Sequence, residues 1–192
     1  MKKLVRFIPN SITISRVGLS ILFIIDVTGQ FVYGKNNLIN LIVVFAAVCL
    51  TDFLDGRIAR KLHSTSAIGA ELDVFADLFF ITASNITLLY LGLLPPWFLG
   101  FVFLKFIEFI MTSNFIIRHN YLSNKDVFIF DKVGKLVSAM FFVAPGAACI
   151  IHVIMPDIAE NLISFLLYSI LLGGILSSYV RIRNCFKLIH TN

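Results

Sequence analysis

The segment TDFLDGRIARKLHSTSAIGAELDVFADLFF, residues 51–80, places four aspartates beside long apolar stretches. Asp52 and Asp55 are three residues apart, and Asp73 and Asp77 are four apart, so each pair shares one face of a helix. The connector between the two predicted helices is short, which makes the helices antiparallel neighbours. Both acidic pairs then lie at the same depth, and we expect the four carboxylates to converge.

The composition indicates that these helices lie in a membrane. Hydrophobic residues make up 58% of the 192 residues and charged residues only 14%, whereas soluble domains carry about 25% charged residues. Lipid must therefore solvate part of the surface. The net charge is +5, but no polar segment interleaves basic and aromatic residues, so an anionic membrane surface is a better partner than nucleic acid.

We predict an all-α membrane protein with six transmembrane helices, forming a single domain over residues 1–192. Each span of a hydrocarbon core needs about 20 mostly apolar residues. Residues 2–8 read as a short amphipathic helix on the membrane surface, and we expect the first span to be retained rather than cleaved. The predicted spans cover residues 11–27, 38–60, 69–91, 97–117, 133–154 and 158–180.

The basic residues predict the orientation of these spans. They cluster at the N-terminal side, around the second and fourth connectors and after the last span, while the other connectors hold Lys35 alone. Because lysine and arginine favour the cytoplasmic side, both termini and the acidic residues are predicted to be cytoplasmic. The clustered residues are Lys2, Lys3, Arg6, Arg16, Arg57, Arg60, Lys61, Arg118, Lys125, Lys132, Lys135, Arg181, Arg183 and Lys187.

Four carboxylates near lipid repel each other and cost several kcal/mol unless they are neutralised. Hard divalent cations bind oxygen ligands and lower this repulsion. The alternative is structural, with Asp55 paired to Arg60 and the nearby small residues serving only to pack helices. Four acids need more cations than that, and those close in sequence are Arg57, Arg60 and Lys61.

The acidic segment resembles the signature of a known family. The pattern Asp52-x2-Asp55-Gly56-x2-Ala59-Arg60, eight residues, Gly69-x3-Asp73-x3-Asp77 is similar to that of the CDP-alcohol phosphatidyltransferases. The opening Pro9-Asn10-x2-Thr13-x2-Arg16 is similar to the first helix of that family. The resemblance implies a homodimeric enzyme that transfers a phosphatidyl group from CDP-diacylglycerol to an alcohol and releases CMP.

The resemblance also implies roles for individual residues. Asp52, Asp55 and Asp73 would bind Mg²⁺ or Mn²⁺ in a two-metal site, and Asp77 would both contact metal and act as the general base. The residues implied to line the site of the CDP moiety are Gly56, Ala59, Arg60 and Gly69.

The acceptor alcohol is open at this point. Glycerol 3-phosphate is favoured, because Gly134-Lys135-Leu136-x-Ser138 partly resembles the glycerophosphate branch. Arg118 and Lys135 flank one loop and either bind an acceptor phosphate or anchor the membrane surface. The sequence lacks the proline after Asp73 and the lysine after Asp77 that are usual in that branch. Serine, inositol and inositol phosphate therefore stay open as acceptors.

Two further features allow more than one interpretation. Lys105 and Glu108 lie three apart in the fourth span and form either a buried ion pair or part of the acceptor cavity. Gly173, Gly174, Ser177 and Ser178 make a small-residue face that favours helix packing. A small cation transporter is the alternative function, although the sequence has neither the broken midplane helices nor the repeat typical of transporters.

Overall fold

The structure, a computed structural model, describes residues 2–62, 67–123 and 132–190. Within these ranges the side chains of 2–12, 55–62, 67–71, 113–123, 132–133, 184 and 187–190 are not described. The described residues are helical apart from short connections, which confirms the all-α prediction. The helices are α1 (Lys2–Phe31), α2 (Leu38–Leu62), α3 (Ala67–Tyr90), α4 (Pro96–Ser123), α5 (Lys132–Ile154) and α6 (Ala159–His190), with a 3-10 turn at Pro156–Ile158.

Each of the six helices contains nearly all of one predicted span, but the six-span count is not confirmed. Among the described residues, four stretches are long and apolar enough to cross a membrane, and α2 contributes a shorter apolar stretch, Leu38–Leu54. That stretch contains Asp52 and ends at Leu54, the last residue of α2 whose side chain is described. The separate surface helix predicted for residues 2–8 is also not confirmed, because these residues belong to the same helix as the first span. The four long stretches are Thr13–Phe31, Leu72–Tyr90, Gly134–Ile154 and Pro156–Arg183.

The chain divides into two compact units. The first contains the residues up to Leu94 together with Pro145–Pro156, and the second contains Pro95–Ala144 and the residues from Asp157 onward. The boundary within α5 falls at Pro145. The prediction of a single domain stays a prediction.

In the first unit α1 packs against both α2 and α3. The contact centres on three phenylalanine rings, one from each helix: Phe23, Phe45 and Phe80, whose centroids lie 5.5–6.4 Å apart. Gly146 of α5 makes room for this cluster, since a Cβ there would lie 2.4 Å from the Phe45 ring. Burying such rings is a major source of packing stabilisation.

The end of α3 shows how the chain turns sharply after a long helix. Gly92 adopts a φ of +73°, which is readily available only to glycine. Its amide donates to the carbonyl of Leu89, and the amide of Leu93 donates to the carbonyl of Leu88 at 2.9 Å. This is a Schellman motif, which satisfies the last carbonyls of a helix.

In the second unit α4 packs against α6. Gly174 permits this approach, because a Cβ there would lie 2.4 Å from the Phe101 ring. Phe101 and Phe98 also contact the ring of Phe141 at centroid distances of 5.7 and 6.0 Å. The predicted packing role of the small-residue face on α6 is confirmed at Gly174.

Candidate active site

Three carboxylates of the first unit meet around one guanidinium nitrogen. Nη1 of Arg16 lies 3.2 Å from Oδ1 of Asp52, 2.9 Å from Oδ1 of Asp73 and 2.5 Å from Oδ1 of Asp77. Arg16 comes from α1, Asp52 from α2, and the other two acids from α3. The cluster therefore ties together α1, α2 and α3 within this unit.

Helical periodicity places the phenylalanine cluster about two turns from these charges on the same helix faces. Phe23 follows Arg16 by seven residues, Phe45 precedes Asp52 by seven, and Phe80 follows Asp73 by seven. Seven residues are close to two full turns, so each ring lies on the same helix face as its charged partner, roughly 10 Å along the axis. The rings form an apolar layer on one side of the acids.

The side chains of the three acids are partly exposed to solvent, unlike that of Arg16. The Arg16 side chain has no exposed surface, whereas those of Asp52, Asp73 and Asp77 are 42%, 40% and 34% exposed. Burial of the cation beneath half-exposed carboxylates leaves the outer oxygens free to meet a ligand. When all four groups are ionised, the acids exceed the guanidinium by two negative charges.

The donor set fits a hard divalent cation. One carboxylate oxygen from each of Asp52, Asp73 and Asp77 lies within 4.8 Å of the others. Magnesium binds oxygens at about 2.1 Å, so ligands on opposite sides of one ion lie roughly 4.2 Å apart. A small contraction of the triad would bring all three oxygens into the coordination range of one ion.

A family model describing CDP-alcohol phosphatidyltransferases matches residues 6–174, which span α1 to α6 and include the whole cluster. The chain belongs to the CDP-alcohol phosphatidyltransferase family. The resemblance inferred from the acidic pattern is thereby confirmed.

Curated relatives carry several different names within this phosphatidyltransferase family. The chain is 39% identical over 114 residues to a probable cardiolipin synthase (CMP-forming) of Drosophila melanogaster, covering 58% of this chain and 33% of that protein. It is 30% identical over 99 residues to a CDP-diacylglycerol–glycerol-3-phosphate 3-phosphatidyltransferase of Bacillus subtilis, covering 47% and 51%. It is 39% identical over 59 residues to a CDP-diacylglycerol–serine O-phosphatidyltransferase of Mycobacterium tuberculosis, covering 31% and 21%. The matched segments span between a fifth and about half of the length of these relatives.

Several predicted residues of the family signature lie outside the described side chains. Their backbone belongs to the C-terminal part of α2 and the first turn of α3. Their metal and nucleotide roles therefore stay predictions. These residues are Asp55, Gly56, Ala59, Arg60 and Gly69.

The sequence interpretation missed the contact between Arg16 and the acids. It considered the cations close to the acids along the chain, and Arg16 lies on a different helix. The signal that could have found it was the opening Pro9-Asn10-x2-Thr13-x2-Arg16. An arginine inside an apolar span needs a buried acidic partner, and the acids of α2 and α3 are natural partners.

The second unit holds a separate polar cluster between α4 and α6. Nζ of Lys105 donates to Oε2 of Glu108 at 2.9 Å, to Oγ of Ser178 at 3.0 Å and to the carbonyl of Gly174 at 3.1 Å. The Ser178 hydroxyl donates to the same Glu108 oxygen at 2.6 Å. The predicted ion pair is confirmed, and it extends across the helix contact.

The two residues predicted to bind an acceptor phosphate both lie in helices of the second unit. Lys135 is exposed in the first turn of α5, while Arg118 belongs to α4 with its side chain outside the described set. Their role as an anion pocket stays a prediction.

Proposed function

We propose that this protein transfers the phosphatidyl group of CDP-diacylglycerol to an alcohol and releases CMP, using a divalent cation. The observation that carries this proposal is the convergence of Asp52, Asp73 and Asp77 in a member of the CDP-alcohol phosphatidyltransferase family. Acids from two helices meeting at accessible oxygens provide the charge needed to hold a cation against a pyrophosphate.

The proposed reaction assigns separate tasks to the acids. Asp52, Asp55 and Asp73 would hold Mg²⁺ or Mn²⁺ in a two-metal site, with Asp77 as a further ligand. The bound cations would supply charge neutralisation at the pyrophosphate and at the departing CMP. Phosphoryl transfer otherwise asks the protein mainly for positioning.

Asp77 is proposed to accept the proton of the acceptor hydroxyl. The deprotonated oxygen then forms a bond to the phosphorus of the phosphatidyl group, while the bond from that phosphorus to the CMP oxygen breaks. Asp77 follows Asp73 by one turn of α3, next to the apolar phenylalanine layer. Its position within the cluster supports a base that meets a hydroxyl already held at the site.

The nucleotide is proposed to lie along the adjacent ends of α2 and α3. Gly56, Ala59 and Gly69 have small side chains that leave room for a flat ligand, and Arg60 offers a cation for phosphate. The half-exposed face of the acids supports entry of a headgroup from water while the acyl chains remain in lipid.

Glycerol 3-phosphate is proposed as the acceptor, with Arg118 and Lys135 binding its phosphate. The Bacillus subtilis relative, named for this acceptor, supports the choice. A second candidate is phosphatidylglycerol, whose phosphatidylation yields cardiolipin. The name of the Drosophila melanogaster relative favours it.

The proposed arrangement of the helices in the membrane follows the sequence pattern. We propose six spans, with both termini and the acidic site facing the cytoplasm, and a homodimer. The distribution of lysine and arginine residues supports the orientation, and the four long apolar stretches support a multi-pass protein.

The test is CMP release from CDP-diacylglycerol by purified protein in detergent with Mn²⁺, followed by identification of the lipid product. Glycerol 3-phosphate, phosphatidylglycerol, serine, inositol and inositol phosphate are supplied separately. Asp73→Asn should abolish release, while Asp26→Asn, which changes an acid of α1 outside the cluster, should retain it. If no CMP were released with any of these acceptors, the proposed function would be contradicted.

A further inference from the structure

The contacts of Arg16 with the acids resemble those of a bound metal ion. An arginine usually grips one carboxylate with two nitrogens in a fork. Here one nitrogen, Nη1, lies within 3.2 Å of an oxygen from each of three carboxylates. The guanidinium cannot lose its proton in a protein, so this positive charge is permanent. It occupies the point toward which the three acids converge.

The surroundings hold this cation in place. The Arg16 side chain is completely buried, and Phe23 and Phe80, which pack against each other about two turns away along their helices, are buried as well. The hydroxyl of Ser20, also buried, donates to the backbone carbonyl of Arg16 at 2.7 Å, one turn earlier in α1. Moving the guanidinium away from the acids would leave a charge in apolar surroundings, which is costly.

We infer that Arg16 is a built-in counter-ion of the metal site, which holds Asp52, Asp73 and Asp77 together before metal binds and limits how tightly metal is bound. The inference rests on the proposed function, because it requires a divalent cation at this triad. Arg16 and the cation neutralise the same carboxylates and repel each other. The site is therefore preassembled at the expense of metal affinity.

The decisive measurement is Mn²⁺ binding to purified protein without lipid substrate, read from the electron paramagnetic resonance signal of free Mn²⁺. Arg16→Gln removes the charge and should lower the Kd for Mn²⁺ by about tenfold, given the size of a Coulomb interaction over a few ångströms. A Kd equal to or higher than that of the wild type would overturn the inference. An arginine that merely supported the fold would weaken binding when it was removed.

Thermal unfolding supplies a second readout. Without metal the acids of Arg16→Gln lack their counter-ion, so the variant should unfold at a lower Tm than the wild type in EDTA. Mn²⁺ should raise its Tm by more than it raises that of the wild type, because tighter ligands stabilise more. A variant that cannot be obtained folded even in saturating Mn²⁺ would contradict the inference, since the metal would then be unable to replace the guanidinium.

Two control variants separate charge from packing. Arg16→Lys keeps a positive charge near the acids and should bind Mn²⁺ with a Kd close to that of the wild type, although its ammonium lacks the planar fork. Ser84→Ala removes another buried polar group of the first unit without changing charge and should leave the Kd unchanged. If Arg16→Lys tightened binding as much as Arg16→Gln, repulsion by a charge would be refuted.

The same experiment distinguishes the inference from the function on which it rests. Failure of wild-type protein to bind Mn²⁺, or equal binding by Asp73→Asn, would contradict the metal site itself. Normal wild-type binding that is lost in Asp73→Asn, together with an unchanged Kd in Arg16→Gln, would contradict only the role of Arg16.

Discussion

Arg16 and Asp73 are 57 residues apart in the chain, yet Nη1 of the arginine lies 2.9 Å from Oδ1 of the aspartate. This contact joins the first helix to the acidic pair of the third. A buried guanidinium without a partner would be costly, and its contact with the carboxylates lowers that cost. The contact also places the first helix in the candidate active site, where its charge bears on every ligand that the acids bind.

Metal removal should abolish activity reversibly. Three accessible carboxylates cannot hold a pyrophosphate without cations, so excess EDTA should reduce CMP release to background. Mg²⁺ or Mn²⁺ added beyond the chelator should restore it. EDTA already saturated with Mg²⁺ serves as the control and should have no effect. Full turnover in excess EDTA would refute the metal-dependent mechanism.

Asp77→Asn should separate catalysis from binding. The amide keeps the shape and one oxygen but cannot accept a proton, and general-base catalysis is typically worth about 10²–10⁴-fold in rate. We expect CMP release to fall by that factor while metal-dependent binding of CDP-diacylglycerol, measured by calorimetry, persists. A turnover near the wild-type rate would show that Asp77 is not the base.

Asp55→Asn should instead weaken the binding of the metal and of CDP-diacylglycerol. This substitution removes one charge from the proposed ligand set, so both Mn²⁺ and CDP-diacylglycerol should bind less tightly by calorimetry. Asp26→Asn is the matched control, because it makes the same chemical change on α1. Undiminished binding by Asp55→Asn would remove this residue from the ligand set.

Arg118→Ala and Lys135→Ala test the proposed phosphate pocket. Loss of a cation that binds the acceptor phosphate should raise the KM for glycerol 3-phosphate more than the KM for CDP-diacylglycerol. Steady-state kinetics with each substrate varied in turn gives both constants. Lys35→Ala, which changes a lysine of the first connection, should alter neither. Equal activity with serine, unaffected by the two substitutions, would exclude the pocket.

Reporter fusions test the proposed orientation. Fusions after residue 120 and at the C-terminus should report the cytoplasm, and a fusion near Asn36 should report the outside. The physical reason is the clustering of basic residues on alternate connections. A C-terminus on the outer face would contradict the six-span arrangement.

Glu108→Ala should destabilise the contact between α4 and α6. Oε2 of Glu108 accepts from both Lys105 and Ser178, so truncation leaves a mostly buried ammonium poorly compensated, at a cost of about 1–3 kcal/mol. Unfolding in detergent measures the change in free energy, and exposed Glu160→Ala on α6 is the control. The double variant Lys105→Met/Glu108→Leu should recover much of the loss, because it removes both charges. A double variant less stable than Glu108→Ala would contradict this account.

The sequence by itself determined the all-α class, the approximate helix positions and the pairing of Asp73 with Asp77 on one helix face. These features depend on local apolar length and on the helical repeat, which can be read along the chain. It also predicted the Lys105–Glu108 pair, because residues three apart in a helix are neighbours.

Only the tertiary structure decided that Asp52 and the acids of α3 share Arg16, and that Ser178 joins Lys105 and Glu108. Both arrangements depend on how side chains of separate helices fit together. The Phe23, Phe45 and Phe80 rings, with Gly146 beside them, set the approach of the first three helices, and Gly174 sets that of α4 and α6. Such complementarity between distant segments has no periodic signature in the sequence, so the counter-ion of the acids had to be found in the fold.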